Sequence, residues 1–331
     1  MPQKVSMANS VELLAQPVDP ELQLFRREFE IALSSEVALI NEISRYILKQ
    51  KSKRIRPILV LLSAKLCGES NPSSIIASCL VEILHTATLI HDDIIDEAAM
   101  RRGMPSVNAV WKNKVAVLMG DFLFSRALTN MLRIQNFELL DLLSRTSEAL
   151  SAGEILQLEK SSTNGMEEES YFRMIWLKTA SLFATSCKAG ALTVGTDSSK
   201  AAALYEFGKY LGIAFQIKDD LFDYTGKEIN LGKPIGRDLK SNLVTLPLLF
   251  LLNRLPPARS RKIRKLISRG LEPGDVKEIN DLILEFGGVD YARSKLNEYS
   301  EKAHRALDIF PDSTVKQALL GFIDFNQDRT S

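Results

Sequence analysis

Residues 72–96 read PSSIIASCLVEILHTATLIHDDIID. Ile75, Ile76, Cys79, Leu80, Ile83, Leu84, Ala87, Ile90 and Ile94 recur at spacings of three and four, which is the period of an α-helix. Asn71 supplies an N-cap and Pro72 a first-turn proline. Apolar residues cover so much of the circumference that other helices are expected to enclose this one. It ends in Asp92, Asp93 and Asp96. A second helix of wide apolar face, AAALYEFGKYLGIAFQIKDDLFDY (201–224), ends in the same spacing at Asp219, Asp220 and Asp223. In each set the first and last aspartates lie one turn apart on one face, where like charges repel, so a cation is expected between them.

Outward from these helices, strand signals are nearly absent. Polar stretches at 161–170 (SSTNGMEEES), 225–242 (TGKEINLGKPIGRDLKSN) and 254–262 (RLPPARSRK) read as loops. The expected architecture is all-α: one helical domain over residues 20–331, preceded by a loosely ordered tail, 1–19. At 331 residues and 45% hydrophobic the chain can bury a sizeable core. Lys+Arg 42 against Asp+Glu 41 leaves no overall field that would draw nucleic acid, so the charge logic is local. Cys67, Cys79 and Cys187 are too few and too far apart for a zinc site or a disulfide framework. The N-terminus lacks the basic-then-apolar run of a secretory signal, and no long uncharged apolar window reads as a membrane span. A cytoplasmic location is expected.

If the two helix ends face each other, Asp92, Asp96, Asp219 and Asp223 converge. All-carboxylate ligands suit a hard cation, and Mg²⁺ in particular shares its shell with substrate phosphates. Arg101 and Arg102 follow the first set and offer planar forks for phosphate oxygens. Lys53 and Arg56 in KSKRIRP (51–57) precede an apolar helix whose N-terminus could meet a second anion. His85 lies two turns before Asp92 on the same face, about 10 Å deeper by helix rise. His91 points elsewhere and reads as structural. Lys178 follows the first polar loop, and Lys233 sits in LGKPIGRD (231–238) beside the second acidic set. Both suit a departing diphosphate.

KRIRP, HTATLIHDDIIDEAAMRRG, GDFLFSRA, GEILQLE, KTASLF, AFQIKDDLFDYTG and GKPIGRDL together resemble the trans-isoprenyl diphosphate synthases, most closely the long-chain bacterial polyprenyl diphosphate synthases of octaprenyl type. The resemblance implies an isoprenoid-synthase helical bundle around a central cavity and a homodimer. It implies Mg²⁺-assisted loss of diphosphate from an allylic substrate, attack by isopentenyl diphosphate, and loss of a proton. By the family pattern Asp92, Asp96 and Asp219 hold Mg²⁺, supported by Asp93, Asp220 and Asp223. Arg101, Lys178 and Lys233 hold the allylic diphosphate, and Lys53, Arg56, His85 and Arg102 hold isopentenyl diphosphate. Thr179 and Gln216 lie along the cation.

The chain departs from that pattern at Gln50, Lys51 and Ser52, where glycines are usual, and at Leu243, where many members carry lysine; Lys240 is a partial substitute. A terpene cyclase would not need the second anion site. A helical subunit acting by binding a catalytic partner would not need both acidic sets. The small Ala87 and Thr88 ahead of Asp92 leave a tail passage open, with Leu84, Leu80, Phe122 and Phe124 as candidates for its floor. A long, octaprenyl-class product for quinone side chains is expected, with geranylgeranyl length as the alternative. The basic run ARSRKIRK (258–265) allows at most a transient membrane-surface contact.

Overall fold

The computed structural model describes residues 7–163, 166–225 and 244–329. In chain order its helices begin with α1 (Met7–Ala15), α2 (Asp19–Ala32), α3 (Ala38–Lys49), α4 (Ile55–Cys67) and α5 (Pro72–Ile95). Two-residue strands β1 (Met100–Arg101) and β2 (Met104–Pro105) pair antiparallel before α6 (Val107–Ile134), α7 (Phe137–Thr163) and α8 (Glu168–Ile175). A π-helical turn, Trp176–Ala180, leads into α9 (Ser181–Thr193) and α10 (Ser198–Thr225). The chain continues through α11 (Leu246–Arg254), α12 (Pro257–Arg269), α13 (Pro273–Glu285), α14 (Gly288–Ala306) and α15 (Thr314–Asp328). The fold is all-α, as its apolar periodicity requires.

Two compact units divide these elements. The first takes in residues up to Ser147, Leu182–Gly208 and Leu307–Phe322; the second takes in Glu148–Ser181, Lys209–Ala306 and the chain from Ile323 on.

In the first unit α5 packs against α2, α4 and α6. Its start is fixed by a capping box: Asn71 Oδ1 accepts from Ser74 N–H, and Ser74 Oγ accepts from Asn71 N–H, both at 3.2 Å. Every residue from Ala77 to Leu84 is buried, more than two full turns, so the helix is enclosed on all sides. A Cβ at Gly190 would meet the Val60 carbonyl oxygen at 2.1 Å, which lets α9 cross α4 backbone to backbone. By length and composition α5 and α6 could each cross a bilayer, but 78% of the apolar window of α5 is buried, as befits a core helix. On α6, Val117, Phe124, Leu128 and Leu132 stay exposed and form one stripe.

Residues 7–18, assigned to the tail in the sequence reading, are helical: α1 is followed by a 3₁₀ turn, Gln16–Val18. Val11, Ala15 and Val18 are buried there, at spacings of four and three that a short apolar face requires.

In the second unit α11, with Pro247 in its first turn, packs against α8, α12, α13 and α14. Ile213, Ala214, Ile217 and Leu221 of α10 join its leucines in the core. On α12 only Ile263 and Ile267 are buried.

Candidate active site

The first acidic set lies at the C-terminal end of α5, where unsatisfied carbonyls already carry partial negative charge. Adding carboxylates to that end is unfavourable without a cation. The three aspartates have different surroundings. Asp93 is 3% exposed, and its Oδ1 accepts from Arg101 Nε at 2.7 Å and also from Nη2 of the same guanidinium. Asn108 Nδ2 donates to the Asp93 backbone carbonyl at 3.2 Å. Asp92 is half-buried and Asp96 exposed. Arg101 is held in place by β1, and the turn to β2 uses Arg102 (φ 52°) and Gly103 (φ 78°), the paired positive φ values that a two-residue hairpin demands.

Behind this end lies a cationic cluster. Arg56 Nη1 is 3.0 Å from His85 Nε2. The guanidinium can only donate, so Nε2 accepts and the imidazole proton belongs on Nδ1. Burial and then the charges of Arg56, Arg102, Arg54 and Arg101 hold His85 well below the usual histidine range, so it is neutral at pH 7. The Arg56 guanidinium also covers the Phe183 ring at 4.7 Å. Arg54, in left-handed backbone (φ 49°), pairs with the buried carboxylate of Glu82 and covers the Phe29 ring at 4.8 Å. Ser52 Oγ accepts from Arg54 N–H at 3.3 Å, a contact within the loop that a glycine at this position could not supply. A small pocket is lined by Gln50, Arg54, Thr86, Asp93, Arg101 and Arg102, three cations to one acid. Lys53 lines a second, wider groove, which shares Arg54 with the first and is also lined by Glu12 and Leu13 of α1.

The second acidic set, at the C-terminal end of α10, repeats the division of roles. Asp220 is 6% exposed; its Oδ2 accepts from Tyr171 Oη at 2.7 Å and its Oδ1 from Gln216 Nε2 at 2.9 Å. Gln216 Oε1 in turn accepts from Thr179 Oγ1 at 2.8 Å. A hydrogen-bonded chain thus runs from Thr179 through Gln216 and Asp220 to Tyr171. Asp219 and Asp223 are half-buried, and Asp219 Oδ1 accepts from Arg329 Nη2 at 2.5 Å. Lys178 Nζ lies 2.5 Å from Glu154 Oε1 and donates to Gln157 Oε1 at 3.1 Å. Lys178 and Thr179 both sit in the π turn, a feature common at functional sites. A Cβ at Gly153 would meet Lys178 N at 2.7 Å, so glycine lets α7 approach that turn.

Among the described residues no three His, Cys, Asp or Glu side chains form a ready metal cage. Carboxylates offered in pairs at helix C-termini fit Mg²⁺, which retains waters and takes the rest of its shell from phosphate oxygens.

In the first unit Asp92, Asp93, Asp96, Arg101, Arg102, Arg56 and His85 cluster toward the C-terminal part of α5, and Lys53 lines the wider groove that adjoins them at Arg54. In the second, Lys178, Thr179, Gln216, Asp219, Asp220 and Asp223 gather about the π turn and α10. Lys233, Lys240 and Leu243 lie outside the described residues. The sequence reading passed over Arg54, Glu82, Glu154, Gln157, Tyr171 and Arg329. Of these, Glu154 and Gln157 stand in the quoted GEILQLE, and Arg54 in KRIRP; Tyr171 and Arg329 carried no local signal.

The Polyprenyl synthetase family profile matches residues 37–283. The chain is 34% identical over 320 residues to the octaprenyl diphosphate synthase of Haemophilus influenzae, covering 97% of each protein. Its fold is similar to a polyprenyl synthase from Caulobacter crescentus, solved as a complex with calcium and isoprenyl diphosphate (TM-score 0.90, 34% identity, 97% of this chain and 98% of that one). It is likewise similar to a decaprenyl diphosphate synthase from Rhodobacter capsulatus (TM-score 0.92, 33% identity, 97% and 99% covered). The chain is therefore an enzyme, a long-chain trans-polyprenyl diphosphate synthase, and belongs to the polyprenyl synthetase family.

Proposed function

We propose that the enzyme is Mg²⁺-dependent, elongates an allylic diphosphate with isopentenyl diphosphate, and stops near the octaprenyl length. The observation that carries the metal assignment is the repeated division of roles: in each acidic set the second aspartate is buried and hydrogen-bonded, while its neighbours sit at a helix C-terminus. In this reading Asp92, Asp96 and Asp219 are the ligands, and Asp93, Asp220 and Asp223 position them. Mg²⁺ bound there offsets the negative charge that grows on the leaving diphosphate.

The chain's own groups do the rest. Lys178, Arg101 and Lys233 take the allylic diphosphate; the ion pair with Glu154 and the hydrogen bond to Gln157 hold the Lys178 ammonium in place. Arg56, Arg102 and Lys53 take the diphosphate of the second substrate, to which His85 offers its Nδ1–H. Because Thr179 Oγ1 spends its proton on Gln216, its lone pairs are left for the allylic cation, where positioned dipoles act as transition-state stabilisers. Ala87, buried and small, and the half-buried Thr88 support a passage for a long tail. Of the floor candidates, Leu80 and Leu84 are buried, Phe122 half-buried and Phe124 exposed. The exposed α6 stripe supports a homodimer, and a cytoplasmic location is part of the same proposal.

The test is incubation of purified protein with isopentenyl diphosphate, farnesyl diphosphate and Mg²⁺, followed by chromatography of the dephosphorylated products. Octaprenyl-length product, lost on chelation and in Asp92→Ala and Asp219→Ala, is expected. Product ending at geranylgeranyl length, or turnover indifferent to chelator, overturns the respective part.

A further inference from the structure

We infer that the outward face of α12 is a docking surface for anionic phospholipid bilayers. Between Arg254 and Arg269 the sequence has seven Lys or Arg and no acid, and no acid occurs from Val244 to Leu271; the remainder of the chain carries 35 basic residues against 41 acidic ones. The excess is therefore concentrated on one short element rather than shared over the surface. Arg261, Lys262, Lys265 and Arg269 are all exposed. At 3.6 residues per turn they fall within an arc of about 100° whose centre lies opposite Ile263 and Ile267, the residues that anchor the helix in its core. Among the described residues none of these four makes an ion pair, although Asp275, Glu278 and Asp281 follow in the next helix of the sequence. Among the described residues the face has no counter-charge paired to these four cations.

Charge complementarity alone would admit any polyanion. The product selects the occupant, and to that extent the inference rests on the long-chain reading: a long hydrocarbon tail cannot leave into water without exposing apolar surface at every methylene. A bilayer whose lipids carry negative charge meets both requirements. Cations near such a surface raise partitioning about fivefold each.

The test is sedimentation of the purified full chain, without substrates, with vesicles of phosphatidylcholine alone or containing about a third phosphatidylglycerol. Wild type should bind the anionic vesicles only, and release at about 0.5 M salt, where screening is nearly complete. Replacing Arg261, Lys262 and Lys265 by Gln should cut partitioning on the order of a hundredfold, while far-UV circular dichroism and turnover of soluble substrates stay unchanged. Equal binding to neutral vesicles, undiminished binding of the triple variant, or tighter binding to a single-stranded oligonucleotide overturns the assignment. Vesicle binding is read without catalysis, so a short product in the turnover assay and a failure to sediment are separate results.

Discussion

Arg329 Nη2 donates to Asp219 Oδ1 at 2.5 Å and to the Phe215 carbonyl at 3.2 Å, while its guanidinium covers the Phe215 ring at 3.9 Å. Arg329, just past the end of α15, thus fixes one oxygen of a proposed metal ligand. Arg329→Ala is expected to lower kcat about tenfold, the equivalent of one hydrogen bond to a charged group, with the protein still folded. Steady-state kinetics at saturating Mg²⁺ check it; an unchanged kcat would show that Asp219 needs no such support. Lys should rescue poorly, since an ammonium cannot stack and fork at once.

Glu82 is 1% exposed and its carboxylate is paired with Arg54. Removing only one partner strands a buried ion, so Arg54→Met should cost about 3 kcal/mol in urea unfolding. The double variant Arg54→Met, Glu82→Leu should recover most of that loss. If the double variant is as unstable as the sum of the singles, the pair is not the coupled unit inferred here.

His85 predicts a pH effect of definite sign. Its folded pKa lies below the ordinary 6.5, so between those values the unfolded chain binds a proton that the folded chain does not. Its contribution is complete above pH 6.5 and is lost as pH falls below it. Thermal unfolding of the wild type should therefore weaken more steeply between pH 6.5 and 5 than that of His85→Gln, and parallel curves would refute the neutral, Arg56-bonded imidazole.

Ala87 is 2% exposed on the wall ahead of Asp92. Ala87→Phe should block the tail early and shorten the products sharply, with Mg²⁺ dependence retained. A long product from this variant would place the passage elsewhere.

How much of this could be read beforehand follows from the range of the interactions. Helix α5 was legible because its signal is local: Asn71 and Pro72 mark its start and the apolar spacing fixes its faces. Both aspartate sets were legible for the same reason, since i and i+4 on a helix share a face whatever surrounds them. The resemblance supplied the roles of Lys178 and Gln216, which spacing alone could not. Tyr171 and Arg329 lie 49 and 110 residues from the carboxylates they serve, and no period connects such positions. Arg54 was hidden by its neighbours: with four basic residues among the six from Lys51 to Arg56, nothing in the sequence tells which cation turns inward to Glu82 and which face solvent. The helical α1 was missed because its apolar residues do not keep one face: Val11 and Ala15 are buried while Leu13 is exposed.

The π turn at Trp176–Ala180 holds one residue more than an α-helical turn would, and Lys178 and Thr179 reach Gln157 and Gln216 from within it. A single-residue deletion there would let the turn close into regular α-helix, with the buried faces on either side of it keeping their phase. The helix would gain regular hydrogen bonding and lose the simultaneous aim of its two polar side chains. Here, then, reading-frame-preserving loss of one codon is more dangerous to the enzyme than many substitutions, and it would do its damage without unfolding anything.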